Sequence, residues 1–146
     1  MRKILVIHGP NLDLLGQREP AVYGRTTLSQ INGLLKKAAR KRKAQIFFKQ
    51  SNLEGEIVGL IGKAKTKYQA LLINPAAYTH TSVAIRDAIS ASGILTIEVH
   101  LSNIYSREEF RHKSLISPVV KGTIMGFGPK SYLLGLEAIL DLLDQS

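Results

Sequence analysis

A chain of 146 residues suits one domain with a single sizeable core, and a composition with 45% hydrophobic and 21% charged residues excludes a disordered polymer. Cysteine is absent, which excludes disulfides, thiolate metal ligands and cysteine nucleophiles, and no apolar run approaches the roughly 18–20 residues of a membrane span. The net charge of +9 is uneven: residues 1–73 carry 14 basic and 4 acidic side chains, residues 74–146 carry 6 and 7.

Residues 3–8 form a short β-branched apolar run, the pattern of a buried strand. The apolar core of this start is too short for a signal-peptide h-region, and no small-residue cleavage site follows it. A Gly/Pro/Asn stretch and a long loop to Arg25 come next. Thr27-Leu28-Ser29-Gln30 has capping-box spacing and opens a helix with Ile31, Leu34, Leu35 and Ala38 facing inward. Residues 44–48 read as strand two. Ser51 or Asn52 caps a helix with Ile57, Leu60, Ile61 and Ala64 on one face. Residues 70–74 read as strand three. Residues 82–92 read as a helix with Val83, Ile85, Ala88 and Ile89 inward, stopped by Gly93. Residues 94–100 and 119–127 read as strands four and five, and residues 132–143 as the closing helix. Strands alternating with helices predict βαβ units, right-handed crossovers and an α/β, flavodoxin-like, doubly wound fold on a five-stranded parallel sheet, in one domain over residues 1–146.

The basic excess gathers in Lys36, Lys37, Arg40, Lys41, Arg42, Lys43 and Lys49, with no acid among residues 36–49. A nucleic-acid surface and a solvated helix face are both compatible with it. No aromatic interleaves with residues 36–43, so no base-stacking platform accompanies the charge and the solvated face is the expectation. No nucleic-acid or membrane partner is expected. A field of this sign favours an anionic small substrate.

In doubly wound sheets the site lies at the carboxyl ends of the strands. The ends of strands one, three and four are His8-Gly9-Pro10-Asn11, Asn74-Pro75-Ala76-Ala77-Tyr78-Thr79-His80 and Glu98-Val99-His100-Leu101-Ser102-Asn103. Three of four histidines and three of five asparagines thus converge on one edge. Asn-Pro and Gly-Pro-Asn are also plain turn formers, but that does not account for the whole set. Walker A, HExxH and G-x-S-x-G sequences are missing, and Gly126-Phe127-Gly128-Pro129-Lys130-Ser131 lacks the third glycine of a dinucleotide fingerprint. What remains is metal-free and cofactor-free acid/base work by His, Tyr, Arg and Asn. A flavin-binding electron carrier is the other reading of the fold, weakened by the missing acidic, aromatic-rich loops. The loop at residues 16–25, glycine-bounded, places Arg18 five residues before Tyr23. A guanidinium beside a phenol favours the phenolate, so the pair is a candidate activated base on a lid.

The blocks Gly9-Pro10-Asn11-Leu12-Asp13-Leu14-Leu15-Gly16-Gln17-Arg18-Glu19-Pro20, Gln50-Ser51-Asn52-Leu53-Glu54-Gly55, Ile73-Asn74-Pro75, Tyr78-Thr79-His80-Thr81-Ser82, Ile85-Arg86-Asp87-Ala88, Glu98-Val99-His100-Leu101-Ser102-Asn103, Arg107-Glu108-Glu109-Phe110-Arg111, Ser117-Pro118 and Gly126-Phe127-Gly128 resemble, in order and over essentially the whole chain, the signature of type II 3-dehydroquinate dehydratase. The resemblance implies reversible loss of water from 3-dehydroquinate in the shikimate pathway, or in quinate breakdown, with no metal, cofactor or Schiff base. It implies a homododecamer built as a tetramer of trimers, and the expected location is cytoplasmic. It assigns Tyr23 as the base, Arg18 as its activator, Asn11 as the residue orienting a water toward the enolate, and His100 as the acid polarised by Glu98. The substrate carboxylate would sit on Asn74, Ser102 and the backbone of Leu101 and Ser102. His80 and Arg111 would meet ring hydroxyls, and Asp87 would reach a neighbouring subunit's site. His112 has no role and is read as surface; His8 is read as a core cap of the first strand. Three positions depart from the family pattern: Asp13 stands where a second asparagine is usual, Ala76 where glycine is usual and Leu53 where histidine is common. If position 76 needs a positive φ, alanine there costs about 1 kcal/mol.

Overall fold

The computed structural model describes residues 1–17 and 19–145. Five parallel strands, β1 (Lys3–His8), β2 (Gln45–Gln50), β3 (Ala70–Asn74), β4 (Leu95–His100) and β5 (Gly122–Met125), lie in the order β2-β1-β3-β4-β5. Between and after them run α1 (Pro20–Tyr23), α2 (Leu28–Lys41), α3 (Glu54–Ala64), α4 (Val83–Ser92) and α5 (Lys130–Asp144). This is the flavodoxin-like α/β order expected from the alternation of patterns.

Every second residue of a strand faces the same side, and the sheet is buried on both. Ile4 and Val6 of β1, Leu72 of β3 and Val99 of β4 meet Ile31 and Leu35 of α2 and Tyr132, Leu136 and Ile139 of α5. Leu5, Ile7, Leu71 and Ile73 meet Ile57 and Ile61 of α3 and Ile85 and Ile89 of α4. The capping box of α2 forms: Gln30 N–H donates to Thr27 Oγ1 at 3.2 Å, and Thr27 N–H to Gln30 Oε1 at 2.9 Å. Gly135 lets α5 lie on the sheet, since a Cβ there would fall 2.7 Å from Leu72 and 2.8 Å from Val99.

Several boundaries differ from the sequence reading. Leu34 and Val83 are 45% and 57% exposed, because each lies one step beyond the stripe that faces the sheet. Neither Ser51 nor Asn52 caps α3; its N-cap is Leu53, and the Ser51 hydroxyl instead accepts from Leu53 N–H at 3.0 Å. The loop at residues 16–25 contains the single helical turn of α1. Strand β5 is only four residues long: Val119 belongs to a 3-10 turn at Ser117–Val119, and the left-handed Gly126, at φ 98°, follows the strand's last residue. No helix joins β4 to β5; that connection uses 3-10 turns at Ile104–Ser106, Glu109–Arg111 and Ser117–Val119.

The chain leaves β1 toward β2 and afterwards builds outward from β3. The crevice between the carboxyl ends of β1 and β3 is therefore the switch point where such sheets bind ligands. Gly9 closes it tightly: its N–H donates to the Asn74 carbonyl at 2.8 Å, and a Cβ there would sit 2.5 Å from the Pro75 oxygen.

Candidate active site

A pocket opens at this edge. It spans about 640 Å³ when space open to solvent is counted. Asn11, Asn74, His80, His100, Leu101, Ser102 and Arg111 all line it, with Arg107 beside them. Seven of the eleven site residues named from the sequence thus share one cavity.

His100 ends β4, and Glu98 lies behind it on the same face. The imidazole Nε2 stands 2.5 Å from Glu98 Oε2, and Thr79 Oγ1 is 3.4 Å from the same nitrogen. Glu98 is fully buried. Burial alone would push its carboxyl up; the His100 hydrogen bond and charge, with hydroxyl donors from Ser117 and Thr79, outweigh it and hold the carboxyl below its ordinary value. The pair is thus an oriented imidazole on an anionic base plate, with its other nitrogen free of that contact.

Asn74 ends β3, beside His8 in the register of β1. Its Oδ1 accepts from Ala76 N–H at 3.0 Å, and its side chain also hydrogen-bonds the phenol of the buried Tyr132. Position 76 does require the left-handed conformation: Ala76 has φ 52°, the strain foreseen for alanine there. Asn11 is left-handed as well, at φ 67°, a conformation asparagine tolerates. Its N–H donates to Asn52 Oδ1 at 2.9 Å, while the Asn52 carbonyl accepts from the Tyr78 hydroxyl at 2.7 Å. Asn52 therefore pins the turn after β1 to the turn after β3.

His80 Nδ1 donates to the Lys113 carbonyl at 2.8 Å, which leaves Nε2 as an acceptor. Burial lowers this ring's pKa, partly opposed by the Lys113 bond, and the His100 and Arg111 charges add to the lowering. Arg111 is part of the pocket wall, and its Nε donates to Glu108 at 3.0 Å. The Ser102 hydroxyl accepts from Arg107 at 3.3 Å. His112 is half-buried rather than a surface residue: its Nε2 donates to the Arg107 carbonyl at 2.9 Å, holding the turn that carries Arg107.

Arg18 and the Tyr23 side chain lie outside what the structure describes. The backbone of Tyr23 closes α1, and Ala21, Val22 and Gly24 around it line a second hollow shared with Leu101, Ser102 and Arg107 of the pocket. Asp87 is exposed on α4, away from the pocket, and Asp13 and Leu53 are exposed and outside its lining. Among the described residues no three His, Asp or Glu side chains gather as a metal set, and no helix is long and apolar enough to cross a membrane. The residues missed by sequence reasoning are Asn52, Thr79, Ser114, Ser117, Thr123 and Tyr132. They are neutral groups from separate segments, and no periodicity or spacing marks them.

Comparison with known proteins agrees with this geometry. The family model "Dehydroquinase class II" matches residues 2–140. Relatives named 3-dehydroquinate dehydratase from Nostoc sp. and Trichodesmium erythraeum are 62% and 61% identical over 137 and 140 residues. The matches cover 94% and 96% of this chain and 93% of each relative. The crystal structure of a type II dehydroquinase from Butyrivibrio crossotus superposes with a TM-score of 0.93 at 42% identity, covering 96% of this chain and 97% of that one. With fold and sequence matched over nearly its whole length, the chain belongs to the class II dehydroquinase family.

Proposed function

We propose that this chain catalyses the reversible dehydration of 3-dehydroquinate to 3-dehydroshikimate, a lyase step of the shikimate pathway, through an enolate. One observation carries the reading beyond family membership: His100, 2.5 Å from the buried Glu98 carboxylate, shares a pocket with Asn74, His80 and Arg111. Tyr23 takes the proton alpha to the ketone, with Arg18 favouring its phenolate. The electron pair of the broken C–H bond delocalises onto the ketone oxygen, where Asn11 orients a water as donor. As the enolate collapses, the C–O bond at the neighbouring carbon breaks and His100 protonates the departing hydroxyl, so that water leaves. Asn74, Ser102 and the backbone of Leu101 and Ser102 take the substrate carboxylate; His80 and Arg111 take ring hydroxyls. No cofactor enters these steps.

The chain assembles as a homododecamer, a tetramer of trimers, in the cytoplasm, and Asp87 completes a neighbour's site. The exposure of Asp87 on α4, outside its own pocket, supports that placement. The test is direct: 3-dehydroquinate mixed with purified protein generates the ultraviolet absorbance of the enone product. No absorbance change would overturn the activity. Sedimentation with parallel assays tests the assembly: Asp87→Asn weakens substrate binding in an intact oligomer, and a fully active monomer would refute the shared site.

A further inference from the structure

Four segments meet on one buried carboxylate. Ser117 donates its hydroxyl proton to Glu98 Oε1 at 2.6 Å, and Thr79 donates to Oε2 at 2.8 Å. Ser114 Oγ lies 3.1 Å from Oε2 and 3.3 Å from Oε1. The direction of the Ser114 proton is fixed by its surroundings. Its oxygen already accepts N–H bonds from Ile116 at 3.1 Å and Ser117 at 2.9 Å, so its own proton is left to point at Glu98. Thr123 Oγ1 lies 3.2 Å from the Ser117 oxygen and 3.4 Å from Oε1; donating over the shorter path, it turns the Ser117 proton toward the carboxylate. With the His100 N–H, four donors occupy a carboxylate that offers about four lone-pair sites. A proton added to Glu98 would displace one of them.

We propose that Ser114 and Ser117 are positioning residues of this active site, which together with Thr79 keep the Glu98 carboxylate ionised and aimed at His100 throughout turnover. Glu98 then holds and polarises the imidazole but never takes its proton. The same loop sets a second wall of the pocket. Lys113, next to Ser114, accepts from His80, and Leu115 N–H donates to the Thr79 carbonyl at 2.8 Å. Loop placement and carboxylate charge are therefore one arrangement. Among the described residues, the titratable groups facing Glu98 are His100 on its own strand and His80 at the end of the turn Ala76–His80, with Arg111 beyond His80. Strand β5 and the 114–117 segment contribute only neutral hydroxyls.

The inference rests on His100 acting as the acid. It is tested by the pH profile of kcat for the wild type, Ser117→Ala, Ser117→Thr, Glu98→Gln and the double variant, together with infrared difference spectra against Glu98→Gln. Loss of one donor to an ion moves the acid limb of Ser117→Ala upward by about one pH unit. Ser117→Thr restores it, and Ser117→Ala moves nothing further in the Glu98→Gln background. The ionised-carboxylate band of Glu98 is replaced by the protonated band at correspondingly higher pH in Ser117→Ala. Thr123→Val, which leaves all four direct donors to Glu98 and removes only the bond that turns the Ser117 proton, gives a smaller shift of the same sign and serves if Ser117→Ala does not fold. A uniform fall in kcat with an unmoved limb and an unmoved infrared titration would overturn the proposal. A moved infrared titration with wild-type kcat in Glu98→Gln would instead overturn the role of Glu98 in catalysis and leave the cage intact.

Discussion

The Tyr132 hydroxyl, deep in the core on α5, donates to His8 Nδ1 at 2.9 Å, while His8 Nε2 donates to Asn32 Oδ1 at 2.8 Å. The tautomer follows from the partners, since an amide oxygen only accepts. His8 is therefore held neutral. Burial drives its pKa from 6.5 down to about 4, only partly opposed by Asn32, and drives the Tyr132 phenol upward.

A pH dependence of stability follows. The unfolded chain protonates His8 below pH 6.5 whereas the folded chain resists until about pH 4. The contribution is fully present above pH 6.5 and is lost as pH falls across that window, by roughly 3 kcal/mol at most. Denaturant midpoints at pH 7 and pH 4.5 will differ more for the wild type than for His8→Asn. Equal differences would show that another group carries the acid sensitivity.

Ala76 occupies a conformation that costs an L-residue about 1–2 kcal/mol. Glycine removes the strain but adds about 0.4–1 kcal/mol of unfolded-state entropy. Ala76→Gly is expected to stabilise by about 0.5 kcal/mol net, raising Tm by about 1–2 °C for a chain of this size. A lowered Tm would show that the methyl group packs more usefully than its φ costs.

Much of this was legible in the chain itself. The apolar runs at Lys3–His8 and Ala70–Asn74 are buried on both faces, so their pattern is continuous and their limits clear. Polar residues clustered after β1, β3 and β4 marked the pocket because strand ends in a doubly wound sheet share one edge. The hydroxyls on Glu98 were illegible for the opposite reason. Thr79, Ser114, Ser117 and Thr123 come from different turns and a short edge strand, and nothing local requires a hydroxyl at any of them. Leu34 and Val83 misled because apolar residues at the border of a helical stripe fit the 3.6-residue period without reaching the core.

Removing the acid separates the two half-reactions. His100→Ala is expected to lower kcat by about two to four orders of magnitude, the span of a positioned acid. Proton abstraction needs only the base and the enolate donors, so exchange of the substrate's alpha proton with deuterated solvent persists after dehydration has slowed. Mass spectrometry of recovered substrate reads this. Loss of exchange in step with dehydration would place both transfers on His100.

The base is tested in the same way. Tyr23→Phe is expected to cost about two orders of magnitude or more in kcat and to abolish alpha-proton exchange, with the thermal midpoint unchanged. Near-normal turnover would move the base to another group.

The basic face of α2 gives a contrasting expectation. Lys36, Lys37, Arg40, Lys41 and Lys43 are exposed, whereas Arg42 is tied to Asp141 at 3.1 Å and Asp144 at 3.0 Å of α5. Changing Arg40, Lys41 and Lys43 together to Gln will leave kcat unaltered and raise KM less than about twofold at physiological salt, where the screening length is about 8 Å. Salt-sensitive RNA retention lost in this variant would reveal a second function of that face.

The packing of α5 has a consequence for biosynthesis. Tyr132, Leu136, Ile139 and Leu140 close the sheet face that α2 covers only in part, and Arg2 and Arg42 reach forward to the far end of the same helix. While those residues are still inside the ribosome, the emerged chain has strands and three large helices but one bare flank of core, which a holding chaperone would recognise. The Asn74 wall of the pocket, leaning on Tyr132, therefore takes its final form only when α5 has docked, after every residue that lines the pocket has already been made.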